Sequence, residues 1–278
     1  MLGRRDDGYH EIEALTVSVA DPHDVVEVQA VPHPGGISLE VVGETEGVPD
    51  GIDNLVVQAG EALLVRAGRS GHGVKTTLRK KIPAGCGLGG GSADAAAALI
   101  AIQRLLEVEI DAAGLHAIAA SVGSDVPFCL TGGAAWIRGR GELLEPVSVT
   151  SGLPVVVAIP PFRLVTRTVY EAWDALGGPR SDREVPAPSA VSQVIQACAN
   201  DLEPAAESVE PRLVDFRHAL EEAAGAPALL AGSGSAYAVM VDGDDAVANN
   251  IARKIRRGLK VPVASSHTAT RGVRVGVA

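Results

Sequence analysis

Hydrophobic and polar residues alternate along two early stretches of the chain, Val25–Val31 and 37–41. An alternation with a period of two predicts strands. Residues 54–66 instead carry apolar residues at helical spacing, which predicts a helix with Asp53 as its N-cap. The continuous apolar run 154–159, ended by two prolines, predicts a buried strand. The pattern therefore intersperses strands and helices along the chain.

The remaining elements follow the same two periods. The pattern predicts strands over 74–81, 228–231 and 236–241, a hairpin over 134–147, a surface loop over 177–190, and helices over 92–107, 115–121, 189–199, 211–224 and 244–258. Strands and helices do not alternate strictly, which argues against a simple doubly wound sheet and favours an α+β fold. Because the order changes near 151–152, we expect two domains, 1–150 and 151–278.

Charge and composition narrow the functional classes. The 278 residues carry a formal net charge of −10, and an acidic chain repels a polyanion, so we expect no nucleic-acid partner. No apolar run reaches the roughly 18 residues of a membrane span, and the charged start does not resemble a signal peptide. Three scattered cysteines, Cys86, Cys129 and Cys198, match no zinc spacing and fit a reducing cytoplasm. We expect a cytoplasmic monomer or weak homodimer without a membrane partner.

A dense glycine cluster lies between the predicted strand 74–81 and the helix that follows it. Glycine costs conformational entropy on folding, so such a cluster indicates a need for close backbone approach. The helix, with Ser92 as its predicted N-cap, adds unpaired N–H groups and the positive end of its dipole. The segment therefore predicts a phosphate cradle. Its residues are Pro83, Ala84, Gly85, Cys86, Gly87, Leu88, Gly89, Gly90, Gly91, Ser92 and Ala93.

Two known nucleotide-binding motifs are also rich in glycine and compete with this interpretation. A P-loop requires Lys-Ser or Lys-Thr after the glycines, and neither follows here. The dinucleotide fingerprint G-x-G-x-x-G is met by Gly85, Gly87 and Gly90, with Glu109 or Asp111 about 20 positions further on. That motif is a weak signal alone, and no repeated βαβ units precede it. A glycine turn without a ligand is a further alternative.

The segment Pro-x-x-x-Gly-Leu-Gly-Gly-Gly-Ser-Ala resembles the ATP loop of the GHMP kinases, which include galactokinase, homoserine kinase and mevalonate kinase. The turn 232–235, Gly-Ser-Gly-Ser, falls where these kinases carry a second glycine turn near the ATP phosphates. The resemblance implies an N-terminal domain like ribosomal protein S5 domain 2 and a ferredoxin-like C-terminal domain. It also implies ATP and Mg²⁺ as cofactors, with ATP in the cleft between the domains.

Three more segments resemble the branch of this family that acts on a cytidine-linked alcohol. They are R-R-x-D-G-Y-H-E at 4–11, G-S-D-V-P-F at 123–128 and N-D-L-E-P at 200–204. Their occurrence in the right order is more specific than any single motif. The resemblance implies transfer of the γ-phosphoryl group of ATP to a hydroxyl group of a small cytidine diphosphate substrate, in the synthesis of isoprenoid precursors.

Asp125 is the candidate catalytic residue. Phosphoryl transfer to an alcohol needs an acceptor for the hydroxyl proton, and a carboxylate can serve. On local sequence alone, Asp125 could equally cap the turn before Pro127. The resemblance favours the role of catalytic base.

The resemblance also implies residues that bind the two substrates. Tyr9 and Tyr170 correspond to aromatic residues on either face of the cytosine ring. His10 reads the edge of the base, mainly through its backbone, and Thr166 belongs to the same substrate site. Asn54 approaches the adenine of ATP, although capping of its helix is an equal alternative.

The chain departs from the family pattern at its start. Family members carry an earlier strand of the form A-K-[IV]-N-L, whose lysine lies beside the catalytic aspartate. The chain begins at Met1 without that segment, and we expect that the recorded start is too late. Such a lysine would keep Asp125 ionised. Two alternatives follow: another GHMP small-molecule kinase, or a nucleotide-binding homologue impaired in catalysis.

Overall fold

The structure is a computed structural model, and it describes residues 1–32, 35–148, 152–178 and 199–276. Within these ranges the chain forms strands and helices in mixed order. Strands β1 to β11 are Gly3–Arg4, His10–Val17, Val25–Val31, Gly36–Gly43, Gly73–Lys80, Ala134–Gly139, Leu143–Val147, Pro154–Ala158, Leu229–Leu230, Tyr237–Met240 and Val263–His267. Helices α1 to α8 are Leu55–Arg66, Gly90–Leu105, Ala112–Val122, Val126–Thr131, Thr166–Ala175, Glu203–Val209, Arg212–Ala224 and Asp245–Leu259.

The N-terminal half contains two sheets. One has the order β1-β2-β6-β7 with antiparallel neighbours, and β6 and β7 form the predicted hairpin. The other has the order β3-β5-β4. Here β4 and β5 run parallel, and α1 makes the crossover between them, as parallel neighbours require.

Small side chains bring α1 and α2 close to this second sheet. The core between them combines Leu63 and Leu64 of α1, Leu78 of β5 and the alanines of α2. A Cβ atom at Gly60 of α1 would lie 2.6 Å from Ile37 Cγ1 of β4, so glycine is needed for this helix to approach the strand. The close packing fixes α2, and with it the glycine segment at the N-terminus of α2.

The C-terminal half contains one antiparallel sheet of order β11-β8-β10-β9. The elements follow one another as β-α-β-β-α-β, with the helical segments α5 to α7 and α8 as the two connections, which is the ferredoxin-like arrangement. All five residues of β8 are buried, as its continuous apolar run predicts. This half has its own core around Trp173, Leu213, Tyr237 and Ile255. The predicted α+β fold is confirmed.

Two predicted helix caps are wrong. Asn54, not Asp53, caps α1: its Oδ1 atom accepts a hydrogen bond from the N–H of Val56 at 2.9 Å. Gly89 in the left-handed conformation, not Ser92, precedes α2, which places Ser92 inside the first turn. With Gly89 in this conformation the helix begins at Gly90, whereas a side-chain cap at Ser92 would begin it after Ser92.

Several elements have no counterpart in the sequence prediction, notably α4, α5, α6 and β11. These segments are short, or they contain so many polar residues that the periodic spacing of their apolar residues is not evident. The predicted loop 177–190 and helix 189–199, with Cys198, lie almost entirely outside the described residues. None of the described helices has both the length and the apolar character needed to cross a membrane.

Candidate active site

The glycine segment forms a tight loop between β5 and α2. Gly85, Gly87 and Gly89 all have positive φ angles, of 70°, 81° and 67°. At Gly87 the requirement is also steric, because a Cβ atom would lie 2.2 Å from the carbonyl oxygen of Ala231. Only glycine combines this conformation with this close approach. The cluster of glycines is therefore a structural need of the loop path.

The loop ends at the N-terminus of α2. The first hydrogen bond of this end that closes a helical turn runs from the N–H of Ala93 to the carbonyl oxygen of Gly89, at 2.9 Å. The N–H groups of Gly90, Gly91 and Ser92 precede it, and an α-helix provides no internal acceptor for such groups. Together with the helix dipole they favour an anion at this position. This arrangement is suited to bind a phosphate group.

The C-terminal half holds the loop in place. The N–H of Leu164 donates to the carbonyl oxygen of Gly85 at 3.2 Å, and the N–H of Ala236 donates to that of Cys86 at 2.8 Å. The turn 232–235 packs backbone to backbone against Gly87. The two glycine segments singled out in the sequence are thus in direct contact.

Asn200 supports this second glycine turn. Its Nδ2 atom donates to the carbonyl oxygens of Leu230 at 2.9 Å and of Gly232 at 2.6 Å. In the same turn, the Ser233 hydroxyl lies 3.0 Å from that of Thr166, at the start of α5. The N-D-L-E-P segment therefore has a structural role, which its sequence did not reveal.

Asp125 occupies the N-cap position of α4, but its side chain makes no capping hydrogen bond. The capping alternative raised by the sequence is therefore wrong for the described structure. The side chain reaches solvent, while the surrounding protein removes part of its hydration and raises the pKa of the carboxyl group. A carboxylate that has a raised pKa and does not cap a helix is suited to accept a proton.

Asp125 faces both halves of the molecule. Its charge, after burial, contributes to raising the pKa of Tyr170 on α5 to about 12. A Cβ atom at Gly141, in the β6–β7 turn, would lie 3.3 Å from Asp125 Oδ1. Burial, followed by the charges of Asp125 and Asp94, raises the pKa of Cys129 to about 12, so Cys129 of α4 lies near a carboxylate of α2 as well. The base candidate thus stands between the α2 region and α5.

Aromatic residues from distant segments meet beside Asp125. The ring centroids of His10 and Tyr170 are 4.8 Å apart, and those of His10 and Trp173 are 5.7 Å apart in an edge contact. Tyr9 is 52% exposed, and the guanidinium carbon of Arg140 lies 4.7 Å from the centre of its ring. The structure therefore brings His10 and Tyr170 together, whereas the ring of Tyr9, the chain neighbour of His10, packs against Arg140.

Asn54 borders a separate pocket of about 200 Å³ beside the glycine loop, whose lining also includes Ala84, Gly91 and Asp94. The amide of Asn54 is engaged on both sides, since Nδ2 donates to the carbonyl oxygen of Pro49 at 2.7 Å and Oδ1 caps α1. The capping role is therefore present. Each amide atom keeps capacity for one more hydrogen bond.

A buried ionic cluster lies under the glycine loop. Lys80 Nζ donates to Asp24 Oδ2 at 2.5 Å and to Asp94 Oδ2 at 2.8 Å, and the three side chains are at most 4% exposed. Burial, opposed by the charge of Lys80, raises the pKa of Asp94 to about 7. A Cβ atom at Gly90 would lie 3.2 Å from Lys80 Nζ, so the cluster touches the first turn of α2.

Sequence reasoning missed this cluster, and it also missed Arg140, Trp173 and Asp174. A signal existed for Asp94, a carboxylate within an alanine-rich helix. No comparable signal marked Asp174, because its partner His10 lies 164 positions away. Among the described residues, no group of three or more His, Cys, Asp or Glu side chains is arranged to hold a metal ion.

Comparison with known proteins agrees with this geometry. A family model described as the GHMP kinases N terminal domain matches residues 54–133, which include the glycine loop and Asp125. The 4-diphosphocytidyl-2-C-methyl-D-erythritol kinase of Pelotomaculum thermopropionicum is 41% identical over 239 residues, covering 84% of this chain and 82% of that protein. The enzyme of the same name from Moorella thermoacetica is 36% identical over 256 residues, covering 88% and 87%.

Solved structures give the same result. A crystal structure of 4-(cytidine 5'-diphospho)-2C-methyl-D-erythritol kinase matches with a TM-score of 0.77 at 33% identity, covering 95% of this chain and 92% of that one. Homoserine kinase from Cytophaga hutchinsonii shares the fold, with a TM-score of 0.72 at 20% identity and coverage of 93% and 90%.

The fold and the glycine loop before α2 define a kinase of the GHMP class. Within that class, the chain belongs to the 4-diphosphocytidyl-2-C-methyl-D-erythritol kinase family, since relatives of that name align over most of its length. The predicted kinase class is thereby confirmed, and the alternative of a different GHMP kinase is not favoured.

Proposed function

We propose that this protein transfers the γ-phosphoryl group of ATP to the 2-hydroxyl group of 4-diphosphocytidyl-2-C-methyl-D-erythritol. The observation that carries the proposal is the position of Asp125. Its carboxylate is not used by the helix cap, and it lies close to the β6–β7 turn and to Tyr170, on which the ring of His10 packs. The similarity to enzymes of that name supports the choice of substrate.

ATP lies with its phosphates on the glycine loop, residues 83–93. The N–H groups of the loop and of the first turn of α2 donate to the phosphate oxygens, and the helix dipole adds attraction. The base of ATP occupies the pocket bordered by Asn54. A Mg²⁺ ion bound with ATP would neutralise phosphate charge, and no ligand to it is assigned to this chain.

Asp125 accepts the proton of the attacking hydroxyl group. The partial loss of hydration that raises its pKa also makes it a stronger base once it is ionised. The aspartate is held on a short helix that packs against α2, so the base and the phosphate cradle belong to one rigid unit. Positioning of the hydroxyl group between them supplies the rest of the catalysis.

The cytidine end of the substrate binds at Tyr9, His10, Tyr170 and Thr166. Tyr9 and Tyr170 offer ring faces for stacking, which contributes about 1–3 kcal/mol per base. His10 contacts Tyr170 and fixes its position in the pocket. Thr166 lies at the junction between this pocket and the second glycine turn.

The two separate cores agree with domains 1–150 and 151–278, an ATP-binding N-terminal domain and a C-terminal domain. We place the enzyme in the cytoplasm, as a monomer or weak homodimer, in the synthesis of isoprenoid precursors outside the mevalonate route. Neither nucleic acid nor a membrane is a partner in this proposal.

A coupled assay of ADP release tests the function. The purified protein is given ATP, Mg²⁺ and one acceptor at a time: the cytidine diphosphate substrate, mevalonate, homoserine or galactose. We expect turnover with the cytidine substrate alone. Turnover with another alcohol would identify a different GHMP kinase, and ATP binding without any turnover would identify an impaired homologue.

A further inference from the structure

Asp174 on α5 reaches across to the first residue of β2. Its Oδ1 atom accepts a hydrogen bond from His10 Nε2 at 2.9 Å, and its Oδ2 atom lies 3.7 Å from the Arg4 guanidinium group. The His10 side chain is only 9% exposed, whereas that of Asp174 is 30% exposed. One carboxylate of the C-terminal half therefore holds two side chains of the N-terminal sheet.

The imidazole ring of His10 is enclosed on its other sides by the same helix. Tyr170 packs on it at 4.8 Å in a tilted arrangement, and Trp173 meets it edge-on at 5.7 Å. Trp173 is 3% exposed and belongs to the C-terminal core, so it cannot yield easily. The ring is thus fixed between a rigid indole, a tyrosine and a carboxylate.

The carboxylate decides which nitrogen of His10 carries the proton. An ionised carboxylate only accepts hydrogen bonds, so the Nε2 atom must donate. In a neutral imidazole this leaves Nδ1 as the acceptor and fixes the orientation of the ring. Since Tyr170 packs directly on this ring, the hydrogen bond also restrains the tyrosine.

We propose that Asp174 is a positioning residue for the cytidine end of the substrate, acting through His10 on the ring of Tyr170. The inference rests on the proposed function, because it takes the pocket of Tyr9, His10 and Tyr170 as the cytidine site. Asp174 does not touch the reacting atoms. Its loss therefore weakens binding of the cytidine substrate and leaves the ATP side of the cleft unchanged.

Steady-state kinetics of two variants at the same position test this role. For Asp174→Ala we expect the KM for the cytidine substrate to rise about tenfold or more, because a hydrogen bond to a charged group is lost. The KM for ATP and kcat should stay within about twofold of wild type. Asp174→Asn keeps an oxygen that accepts from Nε2–H, so it should recover most of the lost affinity.

Glu171→Ala is the matched control on the same helix. The side chain of Glu171 is 60% exposed and forms an ion pair with the exposed Arg167 at 2.8 Å. Glu171 itself lies about one helical turn before Asp174. This variant should leave both KM values unchanged. An unchanged KM for the cytidine substrate in Asp174→Ala, or an equal rise in the KM for ATP, would overturn the proposal.

Nuclear magnetic resonance of the wild-type protein tests the same proposal and does not depend on whether a variant folds. At about pH 8, where imidazole is ordinarily neutral, the ¹⁵N signals of His10 should show the Nε2–H tautomer. Addition of cytidine diphosphate should shift these signals and leave those of the distant His116 unchanged. The Nδ1–H tautomer, or an unperturbed His10, would contradict the inference. Absence of ADP release by wild type would instead reject the proposed function.

Discussion

The glycine loop and the aromatic pocket around His10 and Tyr170 are built in opposite ways. The loop is one continuous segment that uses backbone N–H groups, and its path is secured by close contacts such as Gly87 against Ala231. The pocket joins the His10 side chain of β2 to Tyr170 and Trp173 of α5, and Arg140 of the β6–β7 turn packs on the neighbouring Tyr9. Asp125 stands between the two regions.

This difference determines how each region tolerates change. A backbone cradle depends on conformation, so a single methyl group at the wrong glycine alters it, while most side-chain changes nearby do not. A side-chain pocket depends on long-range packing, so its affinity changes gradually as individual rings are removed. Substitutions in the two regions should therefore differ in both size and character.

The largest effect is expected at the residue between the regions. Asp125→Asn removes the proton acceptor while keeping the shape, so kcat should fall about 10²–10⁴-fold. In wild type, the acid limb of the pH–rate profile should lie above the ordinary range of an aspartate, because the pKa of Asp125 is raised. Coupled ADP release measures both.

Binding of a fluorescent ATP analogue provides the control for this variant. Its affinity should match that of wild type, since Asp125 belongs to α4 and not to the loop. A variant that retained a large part of the wild-type kcat would remove Asp125 from the mechanism.

The second-largest effect is expected when a methyl group is added to the glycine loop. Gly87→Ala combines a positive φ of 81° with a backbone overlap at 2.2 Å, and we expect a loss of at least about 3 kcal/mol in unfolding free energy. The KM for ATP should rise as well. Urea denaturation and steady-state kinetics measure the two effects.

Gly225→Ala separates conformational strain from overlap. Gly225 has a similar φ of 70° but no neighbour within 4 Å of an added Cβ atom, so its substitution should cost only about 1–2 kcal/mol. If both variants lost the same stability, contact between the two glycine segments would not be what restricts Gly87.

A graded loss is expected in the aromatic pocket. Tyr9→Ala removes an exposed ring and its contact with Arg140, so the KM for the cytidine substrate should rise by the equivalent of about 1–3 kcal/mol. Tyr9→Phe keeps the ring face and should stay close to wild type. Full affinity in Tyr9→Ala would exclude stacking on this tyrosine.

The last prediction concerns stability alone, in the ionic cluster under the loop. The pKa of Asp94 is raised from 3.8 to about 7, so the folded state holds a proton that the unfolded state releases. Stability should therefore fall as pH rises from about 4 to about 7, by at most about 1.4 kcal/mol per pH unit. Asp94→Asn should flatten this slope, which urea denaturation across the pH range measures.

The fold was predictable where a pattern is local. Alternation located β3 and β4, and a continuous apolar run located β8. The helix α5 was not found, because Val169 and Trp173 are the two buried residues of this ten-residue helix, and a single i, i+4 pair is too short to establish a helical period. Such a helix is stabilised by the sheet against which it packs rather than by its own composition.

The candidate site also has parts that could be predicted from local sequence and parts that could not. The glycine loop could be recognised because all its functional groups lie in consecutive residues, and Asp125 because it sits in a short motif. The pairs His10–Asp174 and Lys80–Asp94, and the stacking of Arg140 on Tyr9, were not predictable. Each requires a specific approach of two elements, and a single sequence contains no record of that distance.

The amino-acid sequence by itself determined the elements with a local pattern, the glycine-rich character of the loop and the kind of chemistry available. Those properties depend on backbone preference and hydrophobic period, which act over a few neighbouring residues. Tertiary structure alone decided which side chains surround His10 and which carboxylates are buried beside Lys80. These outcomes depend on desolvation and packing between segments far apart in the chain, so they arise only when the sheets and helices close on one another.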